Sequence, residues 1–233
     1  MIRLSLIYLL CTTVYALRPT SIPPLLDVPV YSLSTLCGDH DREGSPSSAR
    51  TNMNILTYAC PVSIQPDRIW CISLYRGTLS HKNFTLERRG ILQLLRAATT
   101  HREEEGVTKG VGELIRVLGG SSGRDVDKGR ICAELGHSWE RLPVGRGGGE
   151  DPNDDDDDDD KHNWPEVLPS CLYYLKLELV GDMINCGSHE VALCKVVAMI
   201  SSEEVIPGSA ELDILSTREL RERSIISELG RII

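Results

Sequence analysis

The stretch TNMNILTYACPVSIQPDRIWCISLYRGTLSHKNF, residues 51–84, decides the reading of this chain. It holds two β-type apolar runs. One of them, RIWCISLY at 68–75, is a continuous run of strand length, as expected where both faces of a strand are covered. Around the runs sit Asn, Thr, Ser and Gly. Almost none of these side chains can act as an acid, a base or a nucleophile at neutral pH. The stretch reads as strands and turns that present small hydrogen-bonding groups close to the backbone.

Further along the chain, GILQLL at 90–95 is a third strand candidate. In GVGELIRVLGG, Val111, Leu114, Ile115 and Leu118 recur at i, i+3, i+4 and i+7, which makes one helix face that Gly119 and Gly120 end. SSGRDVDKGRICAELG, 121–136, is a polar loop leading into a second short helix. In LYYLKLEL, Tyr173, Leu175, Leu177 and Leu179 alternate with Tyr174, Lys176 and Glu178, the pattern of a half-buried strand. MINCGSHEVALCKVVAMI, 183–200, reads as a hairpin turning at Gly187 and Ser188, with a long return strand. STRELRERSII opens on a Ser216/Glu219 capping box and predicts a short C-terminal helix. Five or six strands, a few helices and no βαβ alternation give a mainly β fold with peripheral helices. They favour a closed antiparallel barrel over a doubly wound sheet.

At 233 residues and 41% apolar content the chain supports one sizeable core. The formal net charge of −9 misleads, because eight aspartates lie within 151–160 and the remainder of the chain carries −1. No basic patch of the kind that binds nucleic acid is present. Residues 143–163, PVGRGGGEDPNDDDDDDDKHN, read as a disordered acidic insert, since glycine and like-charged aspartates bury too little surface to offset chain entropy. Consecutive carboxylates lack the spaced ligands of a calcium loop.

The N-terminus, MIRLSLIYLLCTTVYALRPTS, has Arg3 before an apolar run too short to span a bilayer, with Val14 and Ala16 at small-residue positions. It reads as a signal peptide, residues 1–16, with a buried N-terminal element as the alternative. Residues 17–46 carry four prolines before GSPSSAR and read as a disordered leader, with the folded domain at 47–227. No membrane span is expected in the mature chain. Signal cleavage would remove Cys11 and leave seven cysteines, an odd number. Cys60, Cys71, Cys171, Cys186 and Cys194 lie in or beside strand-like runs and read as mostly buried free thiols. No Cys/His group has metal-ligand spacing.

The polar set of the opening stretch is Asn52, Asn54, Thr57, Ser63, Ser73, Gly77, Thr78, Ser80 and Asn83. Such groups suit a flavin, whose pyrimidine edge and ribityl chain need many partners, and a Gly-Thr turn suits a phosphate. They equally suit ordinary turns. At this point the residues carry a resemblance. The stretch 51–84 is similar to the flavin reductase-like, FMN-binding split-barrel family, in which a strand with Asn and Ser/Thr leads to a PVS..P turn, an apolar strand and a GT.S..N loop. SGRDVDK (122–128), GSHEVALCKV (187–196) and LSTRELRERSII resemble further segments of that family, in the same order.

The resemblance implies a split β-barrel, a homodimer, and FMN bound near the dimer interface. By position, Asn52, Asn54, Thr57 and Ser63 would line the flavin ring and ribityl chain, and Gly77, Thr78, Ser80 and Asn83 would approach its phosphate. Arg50 and Lys82 are the nearest cations. His189 matches a histidine placed near nicotinamide and flavin, while Ser188 stands where the family carries aspartate. The implied activity is hydride transfer from NAD(P)H to flavin. The alternatives are a non-catalytic FMN-binding or electron-carrier protein, a pyridoxamine-phosphate oxidase-like member, for which no second basic phosphate pocket is evident, and a purely structural secreted β-domain. NFT, 83–85, is a glycosylation sequon if the chain is secreted. A glycan there conflicts with a phosphate site, so the leader is read as leading to an algal plastid, with secretion or the ER lumen as alternatives.

Overall fold

The computed structural model describes residues 24–37, 50–97, 110–142, 164–169, 171–202, 213–228 and 230–233. The expected signal peptide, 1–16, and the expected acidic insert, 143–163, lie outside the described residues. Eight strands are described: β1 (Tyr31–Cys37), β2 (Arg50–Leu56), β3 (Ala59–Ser63), β4 (Ile69–Tyr75), β5 (Arg89–Leu94), β6 (Tyr173–Leu179), β7 (Ile184–Cys186) and β8 (His189–Ser201). The helices are α1 (Leu79–Glu87), α2 (Gly110–Gly120), α3 (Lys128–Glu134) and α4 (Thr217–Glu222).

One antiparallel sheet runs in the order β2-β1-β5-β6-β8-β4-β3, with β7 paired to β8. Its two end strands, β2 and β3, are joined only by Thr57 and Tyr58. Laid flat, six inter-strand steps of ~4.8 Å would hold those strands roughly 29 Å apart. The chain from Leu56 to Ala59 reaches about 11 Å at most. The sheet therefore curls until its ends meet, and the seam between β2 and β3 stays unzipped. The mainly β barrel with peripheral helices is the observed fold, in its split form.

The leader reading is corrected at one place. β1 lies within residues 17–46, between β2 and β5, and pairs with both. Its sequence, YSLSTLC, looks like a polar linker, yet Ser32, Ser34 and Thr35 are fully buried. Gln93 of β5 makes this possible. Its amide donates to Ser32 Oγ at 3.1 Å and Ser34 Oγ at 2.7 Å, and its carbonyl accepts from Leu168 N at 2.7 Å. A buried polar group costs free energy unless it is hydrogen-bonded, and here each has a partner. The expected count of five or six strands also falls short. Besides β1, it omits β3, whose Pro61 is tolerated because β3 ends the sheet, while β7 is the short outgoing arm of the expected hairpin.

Two cores follow from strand alternation. Tyr31, Leu33, Ile72, Leu74, Leu92, Leu175, Leu177 and Ala192 fill the barrel interior. Met53, Ile91 and Tyr174 face the other way and are covered by Leu114, Ile115 and Leu118 of α2, Cys132 of α3 and Leu220 of α4. The predicted helix faces are those that pack. Asp127 caps α3 and Ser216 caps α4, the latter accepting from Glu219 N at 3.3 Å as the capping box requires. α1 closes one end of the barrel through Phe84. A Cβ on Gly90 would lie 2.7 Å from Ser34 O and 3.2 Å from the Phe84 ring, so glycine sets this approach. Lys128 is buried and donates to Leu118 O at 2.6 Å and Met53 O at 3.0 Å, tying α2 and α3 to β2. Among the described residues no helix is long and apolar enough to cross a membrane.

Gln93→Leu is expected to leave Ser32, Ser34 and Leu168 N unpaired and to cost about 3 kcal/mol or more, read as a lowered urea midpoint. Alkaline pH should also destabilise the fold. Burial pushes the Cys171 and Cys194 thiols up to about 12, above their ordinary value of 9. The unfolded chain gives up those protons first, so stability falls as pH rises from about 9 toward 12. Burial pulls Lys128 down to about 8 from 10.5, which acts in the opposite sense between those values. Urea titrations under reducing conditions should show the midpoint dropping above pH 9, with a shallower slope in the Cys171→Ala/Cys194→Ala double variant.

Candidate functional site

A cleft of about 150 Å³ opens at the link end of the unzipped seam. Each wall comes from a different element. The end of β2 supplies Asn54 and Leu56, the link supplies Thr57 and Tyr58, β4 supplies Ser73 and Tyr75, the start of α1 supplies Thr78 and Ser80, and β8 supplies His189. Asn54 is opposite Leu33 in the ladder, so it shares the inward face of β2 with Asn52 and Leu56.

The turn from β4 into α1 is built locally. Gly77 takes φ +85°, a left-handed conformation that lets the chain reverse. Thr78 then caps the helix. Its hydroxyl donates to Tyr75 O at 2.9 Å and accepts from His81 N at 3.2 Å. A helix start leaves its first-turn N–H groups without intrahelical acceptors, and these are the amides of Leu79 and Ser80 at the cleft's edge. That arrangement favours negative charge.

His189 forms the aromatic wall with two tyrosines. Its ring meets Tyr58 at 5.9 Å and Tyr75 at 5.2 Å, both edge-on, and Ser188 Oγ lies 3.0 Å from its Nδ1. Behind this wall, His81 Nε2 of α1 is 2.6 Å from Glu190 Oε2 of β8, and Arg76 Nε is 3.8 Å from the other carboxylate oxygen. These three residues join the helix start to the strand that carries His189.

Of the residues picked from sequence, Asn54, Thr57, Thr78, Ser80 and His189 meet in the cleft, as does Ser73. Asn52 and Asn83 lie beneath it, buried. Asn52 donates to Ser80 Oγ at 2.9 Å, and Asn83 donates to Thr35 Oγ1 and Cys37 Sγ, each at 3.3 Å. Both hold α1 on β1 and β2. Asn83 is buried, so the folded protein has no room for a glycan on its side chain. Gly77 shapes the turn without lining the cleft. Ser63 ends β3, away from the cleft, and its hydroxyl bonds Gln65 O at 3.2 Å. The segment read as a GT.S..N loop is helix α1 from Leu79 onward; Ser80, Asn83 and Phe84 form its buried face.

The sequence reading missed Tyr58, Tyr75, His81 and Glu190. Tyr75 stood in plain view at the end of the 68–75 run. The His81–Glu190 pair spans 109 residues and had no local signal. The thiol expectation also divides: Cys132, Cys171 and Cys194 are buried and Cys71 is half-buried, but Cys60 and Cys186 are exposed. Among the described residues no His/Cys/Asp/Glu group is placed to hold a metal ion.

No protein-family model matches the chain, and no curated protein matches it in sequence. Solved structures do match in shape. An FMN-binding protein from Thermus thermophilus with bound p-hydroxybenzaldehyde superposes at a TM-score of 0.57 and 16% identity, over 86% of this chain and 89% of that one. Flavoredoxin from Methanosarcina acetivorans gives 0.56 and 13%, over 86% and 85%. The NADH:FAD oxidoreductase of Streptomyces globisporus gives 0.51 and 12%, over 77% and 79%. The curled antiparallel sheet, its unzipped seam and these superpositions together give the chain the fold of the flavin reductase and FMN-binding split-barrel proteins.

Proposed function

We propose that the chain binds FMN in the seam cleft and acts as a flavin reductase-like oxidoreductase, with NAD(P)H as hydride donor. One observation carries this reading: uncharged donors and acceptors, an aromatic wall and the start of α1 converge on a single cleft. The residues fit the cofactor. Asn54, Thr57 and Ser73 would meet its polar edges, Tyr58 and Tyr75 would flank its ring, and the first-turn amides of α1 would face its phosphate. The flavin, once bound, would supply the redox chemistry, which explains a cleft without an evident nucleophile.

The chain's own part is binding and orientation. Thr78 holds the α1 start in place through Tyr75 O and His81 N. Ser188 steadies the His189 ring at the cleft mouth. The cleft is smaller than the ~300–1,000 Å³ typical of sites that enclose a ligand of this size. A second copy of the chain, as in the homodimer implied by the resemblance, would cover the remainder. A second reading, an FMN-binding electron carrier without a nicotinamide site, draws on Ser188 at the position where aspartate was expected.

Thr78→Asp tests the site. Aspartate is as good a cap as threonine, so α1 should persist, while its charge repels a phosphate. FMN affinity, read by flavin fluorescence, should fall at least tenfold and riboflavin affinity should barely change; equal losses would remove the phosphate assignment. Adding NADH or NADPH anaerobically to the FMN-loaded protein should bleach the flavin absorbance, and His189→Ala should slow the bleaching. Stable binding without bleaching would favour the carrier.

A further inference from the structure

The sheet opposes two cysteines directly. Cys60 of β3 is the ladder partner of Cys71 of β4, and neither is in a disulfide. Directly opposed residues of an antiparallel pair project to the same face. Ser73 N donates to Tyr58 O at 2.9 Å, which makes 58/73 a hydrogen-bonded rung. Rungs alternate, so 60/71 is the next hydrogen-bonded one on that face. Pro61, opposite Trp70, falls on the rung between, where its missing N–H costs no ladder bond. In a hydrogen-bonded rung the Cα atoms lie about 5.5 Å apart, within the range a disulfide spans.

The two thiols are unequal. Cys60 is exposed on the end strand of the sheet and Cys71 is half-buried. Burial, and then the neighbouring Cys60 sulfur, pushes the Cys71 thiol above its ordinary range. Cys60 is thus the thiol that meets an oxidant in solution, and Cys71 the one that resolves it.

The geometry points to a reversible disulfide between Cys60 and Cys71, formed by exchange with a small disulfide of the glutathione class, that clamps β3 onto β4 beside the cleft. The Cys60 thiolate attacks one sulfur of oxidised glutathione, forming a mixed disulfide and releasing one glutathione thiolate. The Cys71 thiolate then attacks the Cys60 sulfur and releases the second. The two protein thiols lose two protons and two electrons, and the glutathione disulfide takes up the electrons as it becomes two thiols. A hydrogen-bonded rung keeps Cβ atoms near the wide end of ~4.5–5.5 Å, while a relaxed disulfide holds them at about 3.8 Å. Closing the bond draws the strands together, so reduction restores the relaxed ladder and the bond is labile. The next rung on the same face is Tyr58/Ser73, and both residues line the cleft. Oxidation therefore stiffens one wall of the cleft. Neither the bond nor its effect on β3 depends on the cleft's ligand.

The full-length protein is equilibrated in oxidised-to-reduced glutathione buffers, quenched in acid, alkylated with N-ethylmaleimide in denaturant and mapped by peptide mass. Oxidising buffer should yield a Cys60–Cys71 linked peptide that dithiothreitol dissolves. Cys186→Ser should leave the link intact, and Cys71→Ser should trap glutathione on Cys60. Hydrogen exchange should slow several-fold at β3 amides in the oxidised protein. Both thiols remaining open to alkylation, pairing of either with Cys186, or a lasting glutathione adduct on the unmodified chain would each overturn the disulfide. Unchanged exchange in linked protein would overturn the clamp. Should Cys71→Ser fail to fold, Cys60→Ser, at an exposed position, serves instead, and Cys71 should then stay alkylatable.

Discussion

The link of Thr57 and Tyr58 governs this molecule. Two residues cannot bridge a flat seven-strand path, so the strands they join must be brought together by curvature. Curvature separates an interior apolar core from an outer one, and the outer face needs helices to cover it. α2, α3 and α4 supply that cover. The same link joins β2 to β3 at one end and leaves them unpaired. The cleft lies beside that link, and both link residues line it.

A second layer of organisation is polar and buried. Gln93 satisfies Ser32 and Ser34, Asn83 reaches Thr35, and Asn52 reaches Ser80. These bonds let β1 run through the middle of the sheet with hydroxyls on both faces, and they seat α1 at the end of the barrel. Each is individually modest, but an unmet partner in such a place is expensive, so the set specifies one arrangement of α1 against β1 and β2. The close approach at Gly90 adds a steric condition to the same contact.

This polar layer explains where sequence reading of the site held and where it failed. Asn52, Asn54, Thr57, Ser63, Ser80 and Asn83 look alike in the sequence, each a small hydrogen-bonding residue near a strand end or turn. Alternation separates Asn54 from Met53 but cannot separate Asn54 from Asn52, because both point inward. Which one meets the cleft depends on where α1 lands. Asn52 lies under Ser80, and Asn54 lies one rung nearer the seam. Tyr58, Tyr75 and His189 join the set only because β4 and β8 pair with Tyr75 opposite His189.

Taken alone, the sequence determined the features that act over a few residues. The 68–75 strand, the one-sided face of α2, the Ser216 cap of α4 and the hairpin at Gly187 all follow from alternation, helical period, caps and turn residues, and all are present in the structure. Only the tertiary structure decided that YSLSTLC is a strand, because the amide that satisfies its serines lies some sixty residues away. The tertiary structure alone also buried Asn83, paired His81 with Glu190 and set Cys60 against Cys71. The division has one physical cause. Local patterning reports which face of an element is apolar, while the partner that satisfies a polar group is chosen by sheet register and curvature, which only the folded chain defines.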